Sequence, residues 1–344
     1  MTASVGNAPL RAAAQRGRSG GRVVRLVRYP EAGALAGAIV IFAFFAVFAG
    51  SKGFLSLTGT GNWLSDASEI GIGALGAGLL MAAGEFDLSM GSVLGAASGL
   101  FGLCVVQYGV PAWLAAVITL LAGALVGLIN GVLVIKTKLP SFIVTLGTYF
   151  AVQGIALAAI KELTGVDPFT LNVTGATESV FAGTWHFFSV SIVWWVALGA
   201  VAHWVLRHTV FGNWIMATGG DVAVARSAGV RTDLVKLAAF VAASASAALV
   251  GIIQSVTVQS GNVASGQSYQ FEFIIAAVVG GVLLTGGYGS VIGVFFGACI
   301  YGMADLGVFY TGWDTDWFQA ILGGLLLAAV VTNTSFRRKA MTLR

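Results

Sequence analysis

The chain has 344 residues, of which 57% are hydrophobic and only 9% are charged. Soluble domains carry about 25% charged residues, so this composition excludes a soluble protein of this size and predicts an integral membrane protein. The 48 glycines are typical of closely packed transmembrane helices, in which small residues let backbones approach. The formal net charge of +4 is concentrated near the two ends of the chain.

Basic residues crowd both termini. Six arginines lie from Arg11 to Arg28 inclusive, and a second group of basic residues lies at the C-terminus. The positive-inside rule places both ends in the cytoplasm and predicts an even number of spans. Attraction to anionic lipid explains these charges more simply than nucleic-acid binding. We therefore predict a disordered basic cytoplasmic N-terminus at 1–30, a transmembrane domain at 31–334 and a basic cytoplasmic tail at 335–344.

Apolar segments predict an all-α, polytopic fold with about ten transmembrane helices. Residues 50–66 and 161–185 are predicted to be external segments, and two cytoplasmic turns are marked by lysines or glycines. The predicted spans are 32–49, 70–83, 93–107, 111–135, 142–160, 190–206, 237–258, 273–284, 291–308 and 318–331.

A broken helix is predicted near residues 84–92, which read GEFDLSMGS. Carboxylates within a membrane are energetically costly and usually line a cavity or pathway. Irregular backbone occurs inside the membrane only where protein or water forms hydrogen bonds with its N–H and C=O groups. Asp87 and Ser89 are predicted to cap the helix that starts at Met90. Glu85 has no such structural explanation, and a proton relay is one alternative for it.

Uncharged polar residues interrupt several of the apolar spans. In a lumen they would suit a neutral, hydroxyl-bearing solute, but they serve equally as interhelical hydrogen bonds worth about 0.6–2 kcal/mol each. Together with the residues of the break, they give the predicted solute pathway: Glu85, Asp87, Ser89, Asn130, Thr145 and Gln254.

The longest polar interruption of the second half runs over residues 207–236. Gly220 ends the preceding segment, Asp221 is placed to cap a helix over 222–228, and Gly229 is placed to close it. Two helical turns are not stable alone in water, so this helix must lie against something. A short helix with a mostly alanine face, presented between two spans, indicates a docking element for another protein. An ordinary connecting loop is the alternative.

The sequence lacks the motifs that would let the chain act as an enzyme. It has no Gly-x-x-x-x-Gly-Lys-Ser/Thr phosphate loop, no Ser-His-Asp order and no zinc-like His/Cys spacing. Cys104 and Cys299 lie in apolar segments and are interpreted as buried thiols. We predict no catalytic residues, no metal and no cofactor.

Four motifs follow one another along the chain: GEFDLSMGS at 84–92, NG at 130–131 with KLPSFIVTLG at 138–147, the segment 209–229, and the glycine-rich segment 280–290. Taken together and in this order, they resemble the ribose-type permeases of bacterial ATP-binding-cassette importers, the group that includes the xylose, galactose and autoinducer-2 permeases. The resemblance covers roughly residues 60 to 332.

The resemblance implies an importer-type permease subunit for a monosaccharide or similar small polar solute, in the bacterial inner membrane. It implies an ATPase subunit, a periplasmic solute-binding protein and a second permease subunit, identical or closely related, as partners. The cytoplasmic coupling loop would be 207–235. Many family members carry an acidic residue where this chain has Val222. The implied ATPase-coupling residues are Gly220, Asp221, Ala223, Ala225, Arg226 and Gly229.

Two other functions stay open at this stage. A proton-coupled secondary transporter would use Glu85 as its relay, and its uptake would follow the proton gradient instead of ATP. An uncoupled channel or structural membrane component would need neither.

Overall fold

The computed structural model describes the backbone of residues 30–342 and the side chains of residues 31–331, and this part is all-α with four two-residue strands. The segment predicted to be disordered, 1–30, lies outside the described residues except for Pro30. Most of the predicted tail, 335–344, is the helical end of the last helix. The helices are α1 Pro30–Ala49, α2 Leu57–Ala82, α3 Met90–Val106, α4 Ala112–Thr137, α5 Ser141–Thr164, α6 Ala176–Phe181, α7 Ser191–His208, α8 Val210–Gly220, α9 Val222–Ser227, α10 Thr232–Thr257, α11 Tyr269–Val279, α12 Val291–Thr311 and α13 Trp317–Thr342.

The strands form two small antiparallel pairs in the loops at one end of the bundle. β1 (Phe169–Thr170) pairs with β4 (Ser260–Gly261), and β2 (Thr184–Trp185) pairs with β3 (Phe188–Ser189). We call this the loop end, and the opposite end, which carries α8 and α9, the break end.

Five of the described helices, α1, α4, α5, α10 and α12, are long and apolar enough to cross a membrane by length and composition. Two shorter apolar helices, α3 and residues 317–331 of α13, accompany them. This pattern confirms an all-α polytopic membrane fold. The count of ten crossings stays a prediction.

Two predicted spans differ from the observed helices. The span predicted at 70–83 is too short, because α2 already begins at Leu57, where the Ser56 hydroxyl accepts the Gly59 N–H at 2.9 Å. The external location of residues 50–66 stays a prediction. The 26 residues of α2 rise about 39 Å, enough to cross a hydrocarbon core of about 30 Å. By contrast, α11 has 11 residues and rises only about 16 Å, so the span predicted at 273–284 is a half-helix.

The centre of the bundle is α10, which packs against α2, α3 and α4. Its buried face includes four alanines, and the facing glycines of α4 bring the two backbones together: a Cβ at Gly127 would overlap the carbonyl oxygen of Phe240. Small residues are what allow such close packing in membranes, where no hydrophobic force drives helices together. The buried alanines are Ala239, Ala243, Ala247 and Ala248.

At the break end, three points where helices end or are interrupted lie against one another. We call this contact the glycine junction; it consists of Gly84, Gly219, Gly286 and Gly287. Three of its residues, Gly84, Gly286 and Gly287, have φ between +75° and +87°, which disfavours any residue with a Cβ. The Gly287 N–H donates to the Ala82 carbonyl at 2.9 Å, which ties the break after α11 to the end of α2. The junction therefore joins the broken helix near residue 84, the glycine-rich turn 280–290 and the end of α8.

Candidate functional site: the break and the short helix α9

The broken segment between α2 and α3 is held by hydroxyl groups at the start of α5. The Phe86 N–H donates to Ser141 Oγ and the Leu88 N–H donates to Thr145 Oγ1, each at 3.0 Å. Ser141 and Thr145 are both buried. Backbone N–H groups away from water need a partner, so these two side chains replace the helical hydrogen bonds that the break gives up.

Thr145→Val should therefore destabilise the protein while keeping its shape. The substitution takes this partner from the partly buried Leu88 N–H, and an unsatisfied N–H costs about 1–3 kcal/mol when water does not reach it. We expect a lower unfolding temperature for the detergent-solubilised protein. Thr137→Val is the control, because that hydroxyl is exposed; equal effects of the two substitutions would contradict the prediction.

Asp87 is the centre of a buried polar network. Its carboxylate accepts the Ser89 N–H at 2.8 Å, the Ser89 hydroxyl at 2.6 Å and the Ser244 hydroxyl of α10 at 3.2 Å. Asn130 of α4 donates to Ser89 Oγ at 2.8 Å and more weakly to Asp87 at 3.4 Å. Thr148 of α5 completes the network by donating to Asn130 Oδ1 at 2.6 Å.

The predicted capping role of Asp87 and Ser89 is wrong. Ser89 stands at the N-cap position of α3, but its side chain makes no capping hydrogen bond, and the backbone N–H that Asp87 accepts belongs to Ser89 and not to a residue of α3. The reason is that both side chains are turned towards Asn130, where buried polar partners are available. They tie the break to α4, α5 and α10 instead of closing a helix end.

Glu85 forms an ion pair with Lys236 of α10. Only 11% of the Glu85 side chain and 17% of the Lys236 side chain are exposed. A buried carboxylate is costly unless it is paired. The sequence left Glu85 unexplained because its partner lies 151 positions away.

Gln254, the last predicted pathway residue, does not join this group. It lies ten residues after Ser244 on α10, about 15 Å further along the helix axis towards the loop end. Its Nε2 donates to the Tyr269 hydroxyl at 2.8 Å and to Glu69 Oε2 at 3.1 Å. The structure thus brings five of the six predicted pathway residues together and separates the sixth.

Gln254 belongs to an acidic cluster that sequence reasoning missed. The cluster draws on α2, α11 and α12, and its carboxylates lie close enough to influence one another electrostatically. The signal was present, since carboxylates in apolar segments deserve the same attention as Glu85. Besides Gln254, the cluster comprises Asp66, Glu69, Tyr269, Glu272, Tyr301 and Asp305.

The short helix α9 forms as the sequence predicts. Asp221 Oδ1 accepts the N–H groups of Ala223 at 2.9 Å and Val224 at 3.0 Å, and Gly229 follows the helix with φ +86°. Gly220 is the last residue of α8, with open space around the position of a Cβ. These observations confirm the local structure of the predicted coupling segment.

The side chains of α9 divide into an inward and an outward group. Ala225 is 4% exposed and packs inward, where it anchors the helix. Arg226 is exposed but binds within the chain, to Thr232 at 2.9 Å and to Asp233 at 2.6 Å. The outward face, which we call the α9 face, is small and largely uncharged, and consists of Ala223, Val224, Ser227 and Ala228.

Comparison with known proteins assigns the family. The model of the family described as branched-chain amino acid transport system / permease component matches residues 59–330. The fructose import permease protein FrcC of Rhizobium meliloti is 32% identical over 86% of this chain and 83% of its own length. The xylose transport system permease protein XylH of Haemophilus influenzae is 30% identical over 87% and 95%, respectively. The autoinducer 2 import system permease protein LsrC of Escherichia coli is 34% identical over 77% and 75%.

The chain therefore belongs to this family of permease components. Its relatives place it among the sugar-type permeases of ATP-binding-cassette importers, which confirms the resemblance carried by the four motifs and favours that function over proton-coupled transport. No solved structure matches the chain significantly.

Proposed function

We propose that this permease imports a monosaccharide or a similar small polar solute, and that a separate ATPase subunit drives it through α9. The observation that carries the proposal is the α9 face, a capped two-turn helix presented at the break end of a chain without a phosphate loop. A chain that cannot hydrolyse ATP needs a surface on which force from another subunit can act.

The relatives' names support the solute class, because fructose and xylose are neutral monosaccharides. Uptake of a panel of radiolabelled pentoses, hexoses and polyols by vesicles containing the assembled importer tests this class. Uptake confined to charged solutes would contradict it.

Val224→Glu should abolish binding of the ATPase subunit. Val224 is 64% exposed at the centre of the α9 face, so a carboxylate there leaves the fold intact but places a charge in the interface. We expect normal amounts of the variant in the membrane and loss of the ATPase subunit on co-purification.

Val166→Glu is the matched control for that substitution. Val166 is similarly exposed, at 54%, but lies at the loop end. Its variant should retain the ATPase subunit. If Val224→Glu retained the subunit as well, α9 would not be the docking element.

The remaining partners are proposed on the same basis. A solute-binding protein would dock at the loop end, and a second permease subunit would complete the pathway. Both termini would lie in the cytoplasm of a bacterial inner-membrane protein, as the basic segments at the chain ends favour. Reporter fusions that are active on only one side of the membrane test this orientation at each terminus.

A further inference from the structure

The Glu85–Lys236 pair joins two elements that have separate tasks. Glu85 belongs to the break that carries the Asp87 network, and Lys236 lies in the second turn of α10. The residues between Gly84 and Ser89 are not helical, so side chains of other elements fix their position. Among the described residues, this ion pair links the break directly to α10, beside the hydrogen bond from the Ser244 hydroxyl to Asp87.

The first turn of α10 is in turn fixed to α9. Arg226 binds Thr232 and Asp233, and the Val230 N–H donates to the Ala225 carbonyl at 3.0 Å. Lys236 follows Asp233 by three residues, which is less than one helical turn and about 4.5 Å along the axis. A displacement of α9 therefore reaches Lys236 through a short stretch of hydrogen-bonded helix.

Burial makes this link stiff. Both side chains of the pair are largely removed from solvent, so separating them would leave a charge unpaired in a poorly solvated place. The exposed Arg226–Asp233 pair is weaker, but Arg226 also holds the buried Thr232. A movement of α10 at this turn must either carry Glu85 with it or break the pair.

We propose that the Lys236–Glu85 ion pair transmits movement of α9 to the broken segment 84–89, so that both are positioning residues for transport. The inference rests on the proposed docking role of α9. The path runs from Arg226 to Thr232 and Asp233, along one turn of α10 to Lys236, and through Glu85 to the Asp87 network.

The test uses the importer assembled with its ATPase and solute-binding subunits in proteoliposomes. It compares Glu85→Gln, Lys236→Met and the double variant that carries both changes. The double variant removes both charges, which avoids an unpaired buried charge and should preserve folding. ATP hydrolysis and solute uptake are measured on the same preparation, and the result is expressed as solute imported per ATP hydrolysed.

We expect the double variant to retain the ATPase subunit and to hydrolyse ATP. The amount of solute imported per ATP should fall at least about tenfold, which corresponds to about 1.4 kcal/mol. Exchange of the charges, Glu85→Lys with Lys236→Glu, should recover part of the ratio. Lys161→Met, which removes an exposed lysine at the loop end, should leave the ratio unchanged.

The outcomes separate this inference from the proposed function. A double variant with the wild-type ratio of imported solute to hydrolysed ATP would overturn the proposed transmission through the ion pair. A parallel loss of membrane protein, hydrolysis and uptake in all variants would also overturn it, because it would indicate a purely structural pair. Retention of the ATPase subunit by Val224→Glu would instead overturn the docking role of α9, and with it the proposed transmission through the ion pair.

Discussion

Gly219→Val should abolish transport and sharply lower the amount of folded protein. A Cβ at this position would overlap the Ala82 carbonyl oxygen and crowd the Gly287 N–H, so the side chain would be forced between two backbones that bond to each other. Overpacking against movable side chains costs about 1–3 kcal/mol, and here the neighbours are backbone atoms that cannot rotate away. Membrane levels, the unfolding temperature and uptake measure the effect.

The adjacent glycine gives a matched control. A Cβ at Gly220 meets nothing within 4 Å, although the residue lies on the same helix. Gly220→Val should therefore insert and fold normally, whatever it does to ATPase binding. Equal losses of folded protein at the two positions would show that a general sensitivity of α8, and not the glycine junction, is responsible.

Asn130→Ala is expected to be the most damaging polar substitution at the break. It removes the amide that donates to Ser89 and Asp87 and accepts from Thr148, at a position with no solvent exposure. Removal of an amide that serves several buried partners leaves them unsatisfied, which costs about 1–3 kcal/mol for each buried group, a large share of a typical total stability of about 5–15 kcal/mol. We expect a clearly lower unfolding temperature together with loss of uptake.

Ser244→Ala serves as the comparison for Asn130→Ala. Ser244 makes a single hydrogen bond to Asp87, at 3.2 Å, and the carboxylate keeps its closer partner Ser89 when that bond is lost. Its removal should cost about 1.5 kcal/mol, the lower end of the range for a hydrogen bond to a charged group, because the bond is long. If Ser244→Ala were as harmful as Asn130→Ala, Asn130 would not be the principal support of the network.

Local chemistry was sufficient to predict α9. The cap at Asp221 and the closing glycine at 229 act within a few residues, so the sequence carries both signals directly. The position of the break near residue 84 was predicted for the same reason, from glycines and carboxylates in an apolar setting. The family motifs added the identity of the permease.

Partners distant in the sequence could not be predicted in this way. The capping role assigned to Asp87 failed because its partners Asn130 and Ser244 belong to other helices. Glu85 pairs with Lys236, and Gln254 binds Glu69, through contacts that depend on how the bundle packs. A single sequence indicates that such side chains need partners but not which ones they find.

The placement of α5 has a consequence for the whole importer. Only Ser141, Thr145 and Ile160 are buried along its 24 residues, and two of these three hold the backbone of the break. The helix is thus surrounded mainly by whatever adjoins the chain in the bilayer, whether acyl chains or another subunit. Changes in lipid composition or assembly would act on the broken segment 84–89 through this helix, without touching α9.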